Sequence, residues 1–292
     1  MVQYNPKVWF SIIFHSYSRQ VIRTLRPALL FLTGFSVLVC FLVLDFFELS
    51  ETQFKSTILI HQLLGIVLGL FLVFRVNSSY DRWWEGRKLW GSMVNNTRNL
   101  SLKFAAYLDP GDHQNRQWFA QMISNIPASL RDHLRGKQKL RELEWSDETE
   151  FLKGEKAVHV PNYISGLLYR KVVELVKAGK LTTDQQWLLD RELKEFSDII
   201  GACERIKNTP IPYSYAMYIK KFIFIYLITL PFGLVTTTYY LTIPVVLLIS
   251  FILLSVELIA EEIEDPFGKE ANDLPIDELT GKIRDNVREI LY

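Results

Sequence analysis

Apolar positions in this chain gather into long uncharged runs, separated by stretches in which polar and apolar residues alternate with a helical period. The run STILIHQLLGIVLGLFLVF, Ser56 to Phe74, holds nineteen residues without a charge. At about 1.5 Å per residue it nearly crosses a hydrocarbon core of roughly 30 Å. It continues directly into RVNSSYDRWWEGRKLWG, and neither a proline nor a glycine pair interrupts it before Lys88. The pattern predicts one helix that leaves the bilayer as a polar helix, which suits a pore wall or a coupling element better than an anchor. Two more uncharged runs occur, Pro27 to Leu44 and Phe222 to Val256. The second is long enough for about two spans, with Pro231, Gly233 and Pro244 inside it and Pro244 marking the start of the final helix. The chain reads as an all-α membrane protein with four transmembrane helices.

Between Asn77 and Tyr215 every readable period is helical. Leu189, Leu193, Phe196, Ile200 and Cys203 form the seam of one helix, and Thr182 with Gln185, or Thr183 with Gln186, offers a capping box at its start. A neighbouring helix, Asn162 to Lys177, buries Ile164, Leu168, Val172 and Leu175 and ends at Gly179, a left-handed cap. Another runs from Asp112 towards Arg135 with Trp118, Met122, Ile123, Ile126 and Leu130 inward and a bend expected at Pro127. Pro210 and Pro212 set an extended hand-over into the third span. After the fourth span, Asp265-Pro266-Phe267-Gly268 reads as a turn. Leu279, Ile283, Val287 and Ile290 then give a terminal helix one apolar face that needs a partner surface.

Charge orients these elements. Arg23, Arg26, Arg75, Arg82, Lys220 and Lys221 flank the inner ends of the spans, whereas the first external loop is acidic at Asp45, Glu48 and Glu51. The positive-inside rule places both termini and the long middle segment in the cytoplasm, in a cell inner (plasma) membrane. No compact apolar core followed by a cleavage site appears among the first residues, so no cleaved leader is expected, and Val8 to Leu25 reads as an interfacial helix. The expected partition is 1–26 N-terminal, 27–76 spans one and two, 77–215 cytoplasmic helices, 216–260 spans three and four, and 261–292 a turn and terminal helix. Apolar content of 49% with 22% charged residues fits a chain that is part membrane and part water-soluble. A net charge of +1 with no basic patch gives no nucleic-acid partner. Cys40 and Cys203 imply neither a disulfide nor a thiolate site. The five histidines show no metal-ligand pair at helical spacing, so no metal and no cofactor is expected. No nucleophile elbow or phosphate loop marks an enzyme.

On the second span Ile66, Leu70 and Phe74 recur every four residues, within a face of about 80° and over roughly 12 Å of rise. Around an axis such a face makes a greasy collar that gates by dewetting; alone it equally faces lipid or another helix. Gly65 and Gly69 on its flank favour close helix approach. His61 and Gln62, near the outer end, either line an outer mouth or hydrogen-bond a neighbouring helix. Tyr80 to Arg87 reads as an interfacial aromatic belt, with Arg82 and Arg87 able to attract anions if they face a vestibule.

Three passages, FRVNSSYDRWWEGRKLWG at 74–91, GACERIKNTPIPYSYAM at 201–217 and EEIEDPFGKEANDLPID at 261–277, together resemble the bestrophin family in its bacterial branch. The similarity extends over nearly the whole chain. It implies a homopentameric channel for small monovalent ions with the second span on the axis, a hydrophobic neck at Ile66, Leu70 and Phe74, and a wider cavity beneath. It also implies a second constriction at the start of the helix that begins near Thr182. The matching position there is Asp184, where many relatives are apolar, which would favour cations at the exit. Animal members bind calcium in an acidic cluster after the fourth span; here Lys269, Ala271 and Asn272 interrupt that run. Anion conduction, as in the animal branch, is the leading expectation, ahead of a cation channel of the same fold, a secondary transporter or a membrane scaffold.

Overall fold

A computed structural model of the protein describes residues 16–47, 55–137 and 139–292. The start of the expected interfacial helix and the acidic residues Glu48 and Glu51 lie outside these. The described residues form helices joined by turns and irregular segments, without strands. In chain order the helices are α1 Ser16–Cys40, which continues as a π-helical stretch Phe41–Phe46, and α2 Lys55–Tyr107. After them come α3 His113–Leu134, α4 Glu148–Glu155, α5 Val160–Lys177, α6 Thr183–Asn208, α7 Tyr213–Thr238, α8 Thr242–Glu264 and α9 Ile276–Leu291. They fall into two compact units, one reaching to Arg82 and resuming over Pro210–Glu264, the other made of Trp83–Thr209 with Asp265–Tyr292. The chain passes between them inside α2.

The first unit holds α1, α2 up to Arg82, α7 and α8. Three stretches are long and apolar enough to cross a membrane: Gln20–Phe46, the start of Leu59–Tyr107, and Tyr213–Glu264. The last is not one helix. Tyr239 takes a left-handed φ of 48°, and a short 3-10 turn, Tyr239–Leu241, separates α7 from α8. The Thr238 and Thr242 hydroxyls hydrogen-bond across it at 2.8 Å. Pro244 therefore sits in the first turn of α8, as expected from its missing N–H, whereas Pro231 lies inside an unbroken α7. α1 packs on α8 and α7, and α7 on α8. Leu32, Leu68, Leu72, Ile219, Ile223 and Leu227 make the shared core. The opposite side of α1 shows Leu30, Phe31, Val37 and Leu38 outward, an arrangement that needs an apolar surrounding.

The second unit is a helical bundle with α9 against α3, α3 against α5 and α6, and α5 against α6. Its core contains every seam residue expected for α5 and α6, and Phe104 of α2 stacks on Phe119 of α3 with ring centroids 3.7 Å apart. The capping box forms at Thr182 and Gln185, and Gly179 takes φ +70°. α3 continues as α-helix through Pro127. The terminal helix finds its partner surface within the chain: Ile283 and Val287 are buried against α3, and Asp277 pairs with Arg135 at 2.8 Å.

Candidate functional site

The first unit leaves one side of α2 bare. Ile66, Leu70 and Phe74 are 65, 57 and 61% exposed, whereas Leu68 and Leu72, on the other side of the same turns, are at most 5% exposed. Gln62, Leu63, Val67 and Val73 extend the bare stripe. Three large apolar side chains are thus presented outward over three helical turns. Gly65 belongs to the packed side, where a Cβ would come within 3.1 Å of the Tyr226 hydroxyl at the tip of that α7 side chain; Gly69 meets nothing.

Polar groups hold the opposite face in register. His61 is buried, with Nε2 3.0 Å from Thr229 Oγ1 on α7. The Thr229 hydroxyl donates to the carbonyl of Ile225, so its oxygen accepts from the imidazole N–H. Of the two readings open for His61, the structure displays the hydrogen bond to a neighbouring helix; Gln62 is exposed. The partners of Arg75, read from the sequence only as a cation at the inner end of a span, were missed by sequence reasoning. Arg75 is 1% exposed and its guanidinium reaches two carboxylates of α8, Glu264 at 2.8 Å and Glu257 at 3.5 Å, and donates to the Ser79 hydroxyl at 3.1 Å. Arg82 turns to the same helix and donates to the Glu264 carbonyl at 3.1 Å. This pairs α2 with α8 and takes Arg82 away from the bare stripe. An i, i+4 step between Arg75 and Ser79 facing an i, i+7 pair of glutamates was the available signal.

In the second unit Asp184 lies exposed in the first turn of α6, two residues past the Thr182 cap, and makes no ion pair among the described residues. Trp187 and Leu188, one turn on, are 75 and 53% exposed. The segment after Glu264 is a folded turn rather than an open acidic cluster. Phe267 is buried and packs over Gly86 of α2, where a Cβ would meet it at 3.2 Å; Trp83 donates to the Asn272 carbonyl at 2.9 Å. Arg135 donates to the carbonyls of Phe267 and Gly268, at 3.0 and 2.8 Å. A guanidinium thus occupies two carbonyl oxygens of the turn. Asp273 receives the Glu270 N–H, but burial pushes its carboxyl up to about 6, and its Oδ1 has no partner among the described residues. Burial likewise pushes the Cys203 thiol up to about 12, which keeps it protonated and inert. The fold also gathers His133, His159 and Glu204, three residues without helical spacing that could hold a metal ion.

The model of the family described as "Bacterial/Fungal Bestrophin protein" matches residues 1–289. A voltage-dependent anion channel-forming protein of Synechocystis is 32% identical over 98% of this chain and 93% of its own length. The one named YneE in Escherichia coli K12 is also 32% identical, over 85% of this chain and 81% of its own. Among solved structures, that of a point variant of a bacterial bestrophin homologue from Klebsiella pneumoniae matches with a TM-score of 0.82 and 28% identity. It covers 92% of this chain and all of that one.

Proposed function

The chain belongs to the bacterial and fungal bestrophin family, and from that premise we propose that it is a multi-pass membrane channel in which five copies surround an axis lined by α2. Small monovalent ions pass through it, anions such as chloride foremost, as the names of the relatives suggest. The observation that carries this reading is the bare face of Ile66, Leu70 and Phe74. A single stripe cannot enclose anything, but five copies close it into an apolar collar about 12 Å tall. Water in so narrow a tube loses hydrogen bonds, so the collar blocks ions until it widens and wets. The Arg75 contacts to α8 fix the helix immediately below Phe74, which keeps the collar from rotating away. Gln62 lies at the outer mouth, while His61 anchors the outer half of α2 to α7.

Four spans follow, from α1, the start of α2, α7 and α8, with both termini on the cytoplasmic side of the inner membrane and the outward apolar side chains of α1 in lipid. Transport of this kind is passive and calls on no cofactor. A second reading, cation selection at the exit, is supported by Asp184, exposed and without an ion pair among the described residues, because five copies would form a ring of carboxylates. Purified protein in planar bilayers tests both. Unitary currents reversing towards the anion potential in a salt gradient are expected. Reversal towards the cation potential transfers the reading to the Asp184 ring, and silence or saturating electroneutral flux overturns the channel.

A further inference from the structure

We propose that His133, His159 and Glu204 form a binding site for a zinc-class divalent transition-metal ion. They come from three elements: the last turn of α3, the residue that caps α5, and the C-terminal part of α6. Both histidine Nε2 atoms lie against one carboxylate oxygen, Glu204 Oε1, at 2.7 Å for His133 and 2.6 Å for His159, although they stand 71 and 45 residues away in the chain. The two imidazoles tilt over each other with centroids 4.5 Å apart, and the three ligand atoms fall within 4.8 Å of one another. Each side chain keeps 26 to 30% of its surface exposed, so the site is reachable from water yet held by the bundle.

Two imidazole nitrogens and one carboxylate oxygen are donors of intermediate softness, which favour zinc-class ions over calcium or magnesium, whose sites are built from oxygen. Three protein ligands leave a fourth tetrahedral position for water. Bonds of about 2.0–2.2 Å in that geometry set ligand atoms roughly 3.4 Å apart. The two contacts to Glu204 therefore open by well under an ångström when an ion replaces the shared protons, a movement that side-chain rotation supplies.

The ring chemistry of His159 couples this site to α5. The Asn162 N–H donates to His159 Nδ1 at 3.1 Å, so the proton of the neutral ring sits on Nε2 and is donated to Glu204. An ion at Nε2 requires the proton on Nδ1 instead, and the cap of α5 is then released. Metal binding and the first turn of α5 thus compete for one imidazole.

The test is calorimetric titration of the intact, tag-free protein in detergent with zinc chloride, together with visible spectra in cobalt chloride. One zinc per chain and a four-coordinate cobalt band are expected. His133→Gln, His159→Asn and Glu204→Gln should each weaken binding by more than the roughly 10–100-fold that loss of an outer-shell partner causes. His159→Asn is the sharpest variant, because asparagine caps a helix as well as histidine does or better. Lost zinc binding with an unchanged metal-free melting temperature separates ligation from folding. Absence of saturable zinc binding, or zinc binding that survives His159→Asn and Glu204→Gln, overturns the site.

Discussion

The two halves of α2 are built inside out relative to each other. From Leu59 to Phe74 the outward residues, apart from Gln62 and Gly69, are Leu, Ile, Val and Phe, and the first residue past them, Arg75, is buried with a charge. From Trp90 to Phe104 the large apolar residues Trp90, Met93, Leu100 and Phe104 are inside, Leu102 being the exposed exception, while Asn95, Arg98 and Asn99 are outside. One continuous helix of about 80 Å thus changes solvent along its length. Burial in the lower half reports what stabilises the bundle. Exposure in the upper half reports what must be covered by lipid or, in the proposed channel, by a neighbouring copy or the pore. The same substitution class should therefore act on stability in one half and on conduction in the other.

The largest effects belong to the inward positions. Phe104→Ala removes a ring that is fully buried on Phe119 and should cost about 3–5 kcal/mol in chemical denaturation. Arg75→Met should cost a similar amount, about 3–5 kcal/mol, because it strands Glu257 and Glu264 without their cation. Thermal melting in detergent checks it. If Arg75→Met melted like the parent, the inside-out description of the upper half would be wrong.

Next comes the turn on which the lower half rests. The carboxyl of Asp273 is raised from 3.8 to about 6 by burial, so the fold prefers the neutral acid. Its contribution is complete below 3.8 and is lost as pH rises through about 6, up to roughly 3 kcal/mol in all. Asp273→Asn keeps an acceptor for the Glu270 N–H and should flatten the decline in melting temperature between about pH 4 and 7. An unchanged slope would assign the decline to other groups.

Leu70→Ala is the counterpart of Phe104→Ala in the upper half. Its side chain is already bare, so stability should move by less than about 0.5 kcal/mol. Open probability or conductance should rise several-fold, and further with Ile66→Ala, because a wider collar wets more readily. Unchanged currents from well-assembled mutant channels would remove these residues from the neck.

What the sequence disclosed follows from how far a period reaches. A 3.6-residue repeat reports which positions on one helix share a face, so the seams of α5 and α6 and the stripe of Ile66, Leu70 and Phe74 were legible. So were the chain signals that act within a few residues, the Thr182 box and the Gly179 cap. Contacts between helices carry no local period. Arg75 with Glu257 and Glu264, Trp83 with the Asn272 carbonyl, and the meeting of His133 and His159 on Glu204 each join residues far apart in the chain, and none could be read from spacing. The sequence marked the start of the final helix at Pro244 but not the break at Tyr239, because its left-handed φ falls on a residue with no glycine-like signature.

The smallest effect on the fold, and the most telling for selectivity, is expected at Asp184. Its carboxylate sits in the first turn of α6, where the helix dipole favours a negative charge by about 0.3–1 kcal/mol, so Asp184→Asn should lower stability by no more than that. A residue that serves only the helix start would have no further consequence. Yet Asp184 is exposed without an ion pair among the described residues, and Trp187 and Leu188 stand bare one turn beyond it, an apolar rim that bulk water alone does not account for. In the proposed assembly, five such carboxylates around an exit would attract cations and oppose anions by direct electrostatics, independently of the Ile66, Leu70 and Phe74 stripe. Neutralising them should then move the reversal potential in a salt gradient towards anion preference, while Leu70→Ala changes current amplitude and leaves that potential in place. A reversal potential that stays put on Asp184→Asn would make Asp184 a helix-start residue, and would leave ion selection to the upper half of α2.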